Sequence, residues 1–104
     1  MNNQKNEVAF QKIKNKYVII GITILDHEDN LLERHQLHGR INRIDDRGVY
    51  IHLNDDPNNE YTLPPDLNAF QEAPSGEYRL KKTGEVVVDP DFMTTWTIRK
   101  PKKD

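Results

Sequence analysis

The stretch LHGRINRIDDRGVYIHL, residues 37–53, reads as two β-strands joined by a tight turn, and its register decides which side chains remain for function. Asp45-Asp46-Arg47-Gly48 suits a three-residue hairpin loop. In it Asp46 and Arg47 are right-handed, and Gly48 takes the left-handed position that suits a residue without Cβ. Asp45 then pairs with Val49, Ile44 with Tyr50, Arg43 with Ile51, Asn42 with His52 and Ile41 with Leu53. Because side chains alternate along a strand, Leu37, Gly39, Ile41, Val49, Ile51 and Leu53 share one apolar face. A loop one residue longer or shorter would put Ile41 on the face of His52 and break the pattern. Arg43 is the misfit on the inner face, where its stem can cover apolar surface while its head reaches water.

The opposite face presents His38, Arg40, Asn42, Ile44, Tyr50 and His52. Among these, His38, Arg40, Asn42, Tyr50 and His52 form the candidate binding face. They combine hydrogen-bond donors, one permanent cation and one aromatic platform, a composition suited to a peptide, a single-stranded nucleic acid or an acidic partner. The competing reading is a solvated strand face. Ile44 and Tyr50 would pair here, either beneath an N-terminal helix with Phe10 and Ile13 or as an open patch, and the open patch is expected.

Outward from the hairpin, Phe10, Ile13 and Tyr17 have helical spacing, with Asn6 as N-cap, and predict a short amphipathic helix. Tyr17–Asp26, YVIIGITILD, is the strongest strand, β-branched and apolar on both faces, as in a strand covered on two sides. Gly21 within it marks a bend, a bulge or a close backbone approach. After a turn at 27–30, Leu31 to Gln36 runs on into the central hairpin as one long strand bent at Gly39. Residues 54–59 are almost all turn formers. Glu60–Leu63 is a short strand, and Pro64-Pro65-Asp66 opens one helical turn through Leu67 and Phe70. Glu77–Leu80 and Glu85–Val88 form a second hairpin around Lys82-Thr83-Gly84, with Tyr78, Leu80, Val86 and Val88 facing inward. Phe92, Thr94, Trp96 and Ile98 alternate in a closing strand. Short strands with frequent turn signals and little helix predict a mainly β fold, a small, strongly bent antiparallel barrel.

At 104 residues the chain is expected to be one domain with a single modest core, its ends (about 1–6 and 99–104) flexible. Hydrophobic residues make up 35% and charged ones 31%, polar for a globular domain but not a disordered composition. With no cysteine there is no disulfide framework, thiolate metal site or cysteine nucleophile. The N-terminal residues lack the apolar run of a secretory signal, and Tyr17–Leu25 is too short to span a bilayer as a helix. A cytoplasmic protein without membrane contact is expected. Each end carries four cations against one carboxylate, +3 apiece, so with −2 overall the body between them holds −8. Basic ends on an acidic body are not the footprint of a nucleic-acid surface, which clusters its cations on a folded face.

The four histidines do not promise a metal site. His35 and His38 point to opposite strand faces. His38 and His52 share a face, but with His52 opposite Asn42 they lie about 13 Å apart along the strand, at ~3.3 Å per residue. The carboxylates of DHEDN and NDDPNNE sit in turns and lack the spacing and central glycine of an EF-hand. Ser75, the one serine, lies in a plain Pro-Ser-Gly turn, and there is no P-loop or dinucleotide fingerprint. Neither an enzyme, a metal nor a cofactor is expected.

QLHGRINRI, a turn, VYIHL and then EYTLPPDLNAF, a short strand into a helical turn, resemble the succession in Sm-like and SH3-like small β-barrels. The resemblance implies a curled barrel and, for the Sm-like branch, RNA binding in oligomeric rings through short loop motifs, which are not found here. GEYRLKKTGEVVVDPDFMTTW resembles uncharacterised bacterial proteins, which implies no activity. The expectation is a non-enzymatic binding module with a protein partner; the alternative is an Sm-like protein binding RNA or single-stranded nucleic acid.

Overall fold

The computed structural model describes residues 10–102, apart from the side chain of Pro57. Residues 10–13 are helical, and the expected N-cap at Asn6 lies outside the described residues. Eight strands follow: β1 (Tyr17–Leu25), β2 (Leu31–Asp45), β3 (Gly48–Leu53), β4 (Asp56–Leu63), β5 (Phe70–Glu72), β6 (Glu77–Arg79), β7 (Val86–Val88) and β8 (Phe92–Arg99). A single 3-10 turn, Leu67–Ala69, precedes β5, where the proline pair led us to expect it. The Asp66 carboxylate caps it by accepting the Asn68 N–H.

Six strands form one sheet in the order β4-β3-β2-β1-β8-β5. The expected closed antiparallel barrel needs two corrections. The edges β4 and β5 are not hydrogen-bonded to each other, so the sheet stays open. Moreover β8 runs parallel to β1: after β5 the chain makes the β6–β7 hairpin and re-enters the sheet at the end where it left, with Phe92 beside both Glu72 of β5 and Val18 at the start of β1. The sheet nonetheless curls. Val18, Ile20, Ile41, Val49 and Ile51 are fully buried on its inner face. They share one core with Leu63 and Phe70, which belong to its opposite edge strands. Among the described residues, only Ile13 of the helix and Leu67 and Ala69 of the 3-10 turn join from outside the sheet, so much of the described cover comes from the sheet itself.

β1 is covered on both sides, as its composition requires. Val18, Ile20 and Ile22 face the main core, while Ile19 faces outward into a second cluster with Leu80 and Val87, flanked by Tyr17, Tyr78 and Met93. The β6–β7 hairpin therefore lies on the outer face of β1. Its turn matches the sequence reading, with Gly84 left-handed at φ 75° and its N–H donating to the Leu80 carbonyl. The inward set holds for Leu80, which is buried, and for Tyr78, which packs against it, but not in β7, where Val87 is buried and Val86 and Val88 are exposed. Pairing of Tyr78 with Val87 sets that phase, so the middle valine of an all-valine strand is the one beneath the hairpin.

β2 is the expected long strand. Leu31–Arg40 pairs with β1 and Gly39–Asp45 with β3, so it changes partner at Gly39 and Arg40. A Cβ on Gly39 would run into the His52 carbonyl and come within 2.9 Å of Leu53 Cα, so this position has no space for a side chain. Of the helices among the described residues, none is long and apolar enough to cross a membrane.

Candidate functional site

The central hairpin forms, but in another register. Gly48 opposes Asp45, Val49 opposes Ile44, and Tyr50 opposes Arg43; a bulge then follows, and Ile51 opposes Ile41. The connection is thus two residues, Asp46-Arg47, and Gly48 is not left-handed. The physical cause is Asp45. Its Oδ1 accepts the N–H groups of Arg47 (2.8 Å) and Gly48 (3.0 Å), closing the tight turn from the side. Gly48 is still a position for glycine, for a different reason: a Cβ there would lie 2.8 Å from Thr62 Cγ2 on β4.

The bulge at Asn42 resolves the misfit at Arg43. Two residues of β2, Asn42 and Arg43, face Tyr50 and its neighbours, so both side chains stay on the outer face and Ile44 returns inward to the core. The expected Ile44–Tyr50 apolar pair therefore does not exist. Among the described residues the helix does not cover Tyr50 either: Ile13 belongs to the inner core. Tyr50 is half-buried, and what lies on its ring is Arg43, with Cζ 3.7 Å from the ring centroid.

The five residues of the candidate face fall into two groups. In the first, Asn42, Tyr50 and His52 join Arg43, Asp45 and Glu60. Arg43 donates from Nε and Nη2 to the two oxygens of Glu60, both at 3.0 Å, a bidentate clamp. Asn42 Nδ2 donates to the same carboxylate at 3.0 Å, and His52 Nε2 stands 4.0 Å from it. The Tyr50 hydroxyl donates to Asp45 Oδ1 at 3.1 Å. The Arg43 bonds, followed by that of Asn42, hold the Glu60 carboxyl below its ordinary pKa, and the same Glu60 bonds raise that of Arg43. Asp45 is lowered chiefly by the Arg47 backbone N–H, and Tyr50 is raised by desolvation and then by Asp45. The network stands at the surface, with the Arg43 side chain 51% exposed.

In the second group, His38 and Arg40 join Tyr17 beneath the β6–β7 hairpin. The Tyr17 hydroxyl and His38 Nδ1 share a 2.7 Å hydrogen bond, and His38 Nε2 lies 3.2 Å from Glu85 Oε2. The His38 side chain is only 10% exposed, so it ties the hairpin to the sheet. Arg40 donates to the Asn15 carbonyl at 2.7 Å and sits 5.4 Å from the Tyr17 ring centroid. Burial, partly offset by Arg40, raises the Tyr17 pKa. His52 pairs with Arg40 and not with Asn42, which places it nearer His38 than expected. The two imidazoles still turn to different carboxylates, Glu85 and Glu60. Among the described residues no three metal-capable side chains converge.

Sequence reasoning missed Arg43, Glu60, Tyr17 and Glu85. Arg43 carried a signal, a charged residue on an apolar face beside a turn, which is the mark of a local register change. Glu60 and Glu85 carried none, because they reach the face from other parts of the chain, Glu60 from β4 and Glu85 from the connection just before β7. Fold and surface together define a small, mainly β protein built on one curled, open, mixed sheet. No protein-family model, curated protein or solved structure matches the chain.

Proposed function

We propose that this protein is a non-enzymatic binding module that engages a protein partner through the outer face of β2, β3 and β4. The observation that carries this reading is the Arg43–Tyr50 stack clamped by Glu60. Tyrosine and arginine are the side chains that most often dominate binding energy at protein interfaces. Here both are held before any partner arrives, which lowers the ordering cost of association. The exposed guanidinium edge, Asn42 and His52 supply polar contacts around the aromatic centre.

Binding of single-stranded nucleic acid is less well supported. It would need an open ring for a base to stack on, and Arg43 occupies that face of Tyr50. It would also bring phosphates against the carboxylates of Glu60 and Asp45, which flank Arg43.

The test is affinity capture from lysate of the source cells with wild type, Arg43→Ala and Tyr50→Ala, then titration of each captured protein in pure form. A specific partner should bind wild type at least tenfold more tightly than either variant, with little dependence on salt. Equal binding by all three would refute the reading. So would a retained nucleic acid whose affinity falls steeply with salt, the sign of counterion release.

A further inference from the structure

The outer face of the sheet holds a second feature, remote from the Tyr50 network. Gly21, at the middle of β1, lies between Gln36 of β2 and Thr95 of β8. Above it hangs the turn of the β6–β7 hairpin, fixed in place because the Lys81 N–H donates to Gln36 Oε1 at 2.7 Å. Between turn and sheet is a cleft of about 350 Å³ lined by Arg34, Lys81, Lys82, Thr23, Thr95 and the bare backbone of Gly21.

Two independent observations mark this cleft. The first is charge. The body of the protein is strongly acidic, yet the cleft gathers three permanent cations and no carboxylate among its lining residues. Arg34, Lys81 and Lys82 form no ion pair among the described residues, whereas Arg43 and Arg99 both do. The neighbouring cavities at Tyr17 and at Lys12 have carboxylates in their walls.

The second is the glycine. A glycine inside a strand weakens it, and is retained where backbone geometry or packing requires it. Gly39 and Gly48 are required by packing. Gly21 is not: its φ is not positive, and a Cβ would meet only Thr95 Cγ2 at an ordinary 3.4 Å. What its missing side chain does is leave the floor of the cleft open.

The geometry points to a binding site for a small phosphate-bearing molecule with a compact apolar body. The three cations receive the phosphate, with the Thr23 and Thr95 hydroxyls as further hydrogen-bond partners. The body lies on the Gly21 backbone between the aliphatic stems of the cationic side chains. The volume falls at the lower end of small-ligand sites, roughly 300–1,000 Å³, which limits the body to about one ring.

The experiment is a titration of the ¹⁵N-labelled full chain at fixed ionic strength with phenyl phosphate, inorganic phosphate and phenol, followed by amide chemical shifts. Phenyl phosphate should give saturable shifts centred on Gly21, Thr23, Gln36, Thr95 and Lys82. It should bind more tightly than inorganic phosphate, and phenol should give none. Gly21→Val should reduce phenyl phosphate affinity at least tenfold without lowering Tm, because it fills the cleft with a good strand former. Arg34→Gln with Lys82→Gln should do the same by removing charge, which decides the matter should Gly21→Val fail to fold. The site is refuted by shifts that do not saturate or that lie elsewhere, or by unchanged affinity in the double variant. Phenyl phosphate binding no tighter than inorganic phosphate would refute the apolar part of the assignment.

Discussion

Replacing Gly39 by alanine tests whether β2 and β3 approach as closely as the sheet requires. The added Cβ would meet backbone: the His52 carbonyl oxygen at an impossible separation, the His52 carbonyl carbon at 2.9 Å and Leu53 Cα at 2.9 Å. None of these can rotate away, and β3 is held on its other side by β4 through Ile51–Tyr61. Relief therefore means parting the strands at the Gly39–Leu53 pair. Overpacking a tight site costs about 1–3 kcal/mol, and each ladder hydrogen bond loosened about 1 kcal/mol more. The better strand propensity of alanine returns roughly 0.5–1 kcal/mol. The net expectation is a loss of about 2–4 kcal/mol, or on the order of 10–25 °C in Tm for a domain of this size. Urea unfolding followed by fluorescence of Trp96, the one tryptophan, half-buried against Phe70, measures it directly. Gly48→Ala is the milder comparison, since the added Cβ would meet the Thr62 methyl at 2.8 Å and the Leu63 carbonyl oxygen at 3.1 Å, a smaller overlap than at Gly39. It should cost about 1 kcal/mol. A Gly39→Ala protein within about 0.5 kcal/mol of wild type would refute the close approach.

Ile20→Ala and Ile51→Ala, at fully buried sites, should each cost about 2–5 kcal/mol in the same assay. Val88→Ala, at a largely exposed one, should change stability by less than about 0.5 kcal/mol. Thr94 is 2% exposed and its hydroxyl has no partner among the described residues, so Thr94→Val should leave thermal stability unchanged or raise it by about 1 kcal/mol. Glu60 and Asp45 have folded-state pKa values depressed by their hydrogen bonds, so they favour the folded state above the ordinary carboxylate range. That contribution is lost as pH falls through the folded-state values. Urea midpoints measured from neutral pH down to about pH 3 should therefore fall less steeply for Glu60→Gln than for wild type, and identical slopes would show that the clamp adds nothing to stability.

Much of the architecture is legible in the sequence because it is local. The β-branched run 17–25 is apolar in both phases, and a strand of that kind must be covered twice, as β1 is. Proline followed by an N-capping aspartate sets the 3-10 turn, and Gly84 sets the second hairpin turn, each through chemistry within a few residues. The expected alternation of β8 holds for Phe92, Thr94 and Trp96, which are buried or pack against the main core, but not for Ile98, which is exposed.

What tertiary structure decided is what depends on contacts between distant segments. The bulge at Asn42 exists where Arg43 gains a carboxylate from β4 and Ile44 gains the core. A reading of turn residues alone puts the extra residue in the loop, at Gly48, and not at Asn42 within the strand. In β7 three successive valines give alternation nothing to act on, and the choice of Val87 as the buried one came from pairing with Tyr78 over Ile19. The binding face divided for a like reason: Glu85 drew His38 under the hairpin while Glu60 held Asn42 and Arg43 in the open. Side-chain alternation carries through a strand only as far as its register is regular, and the bulge at Asn42 is set by side chains brought together only by the folded sheet.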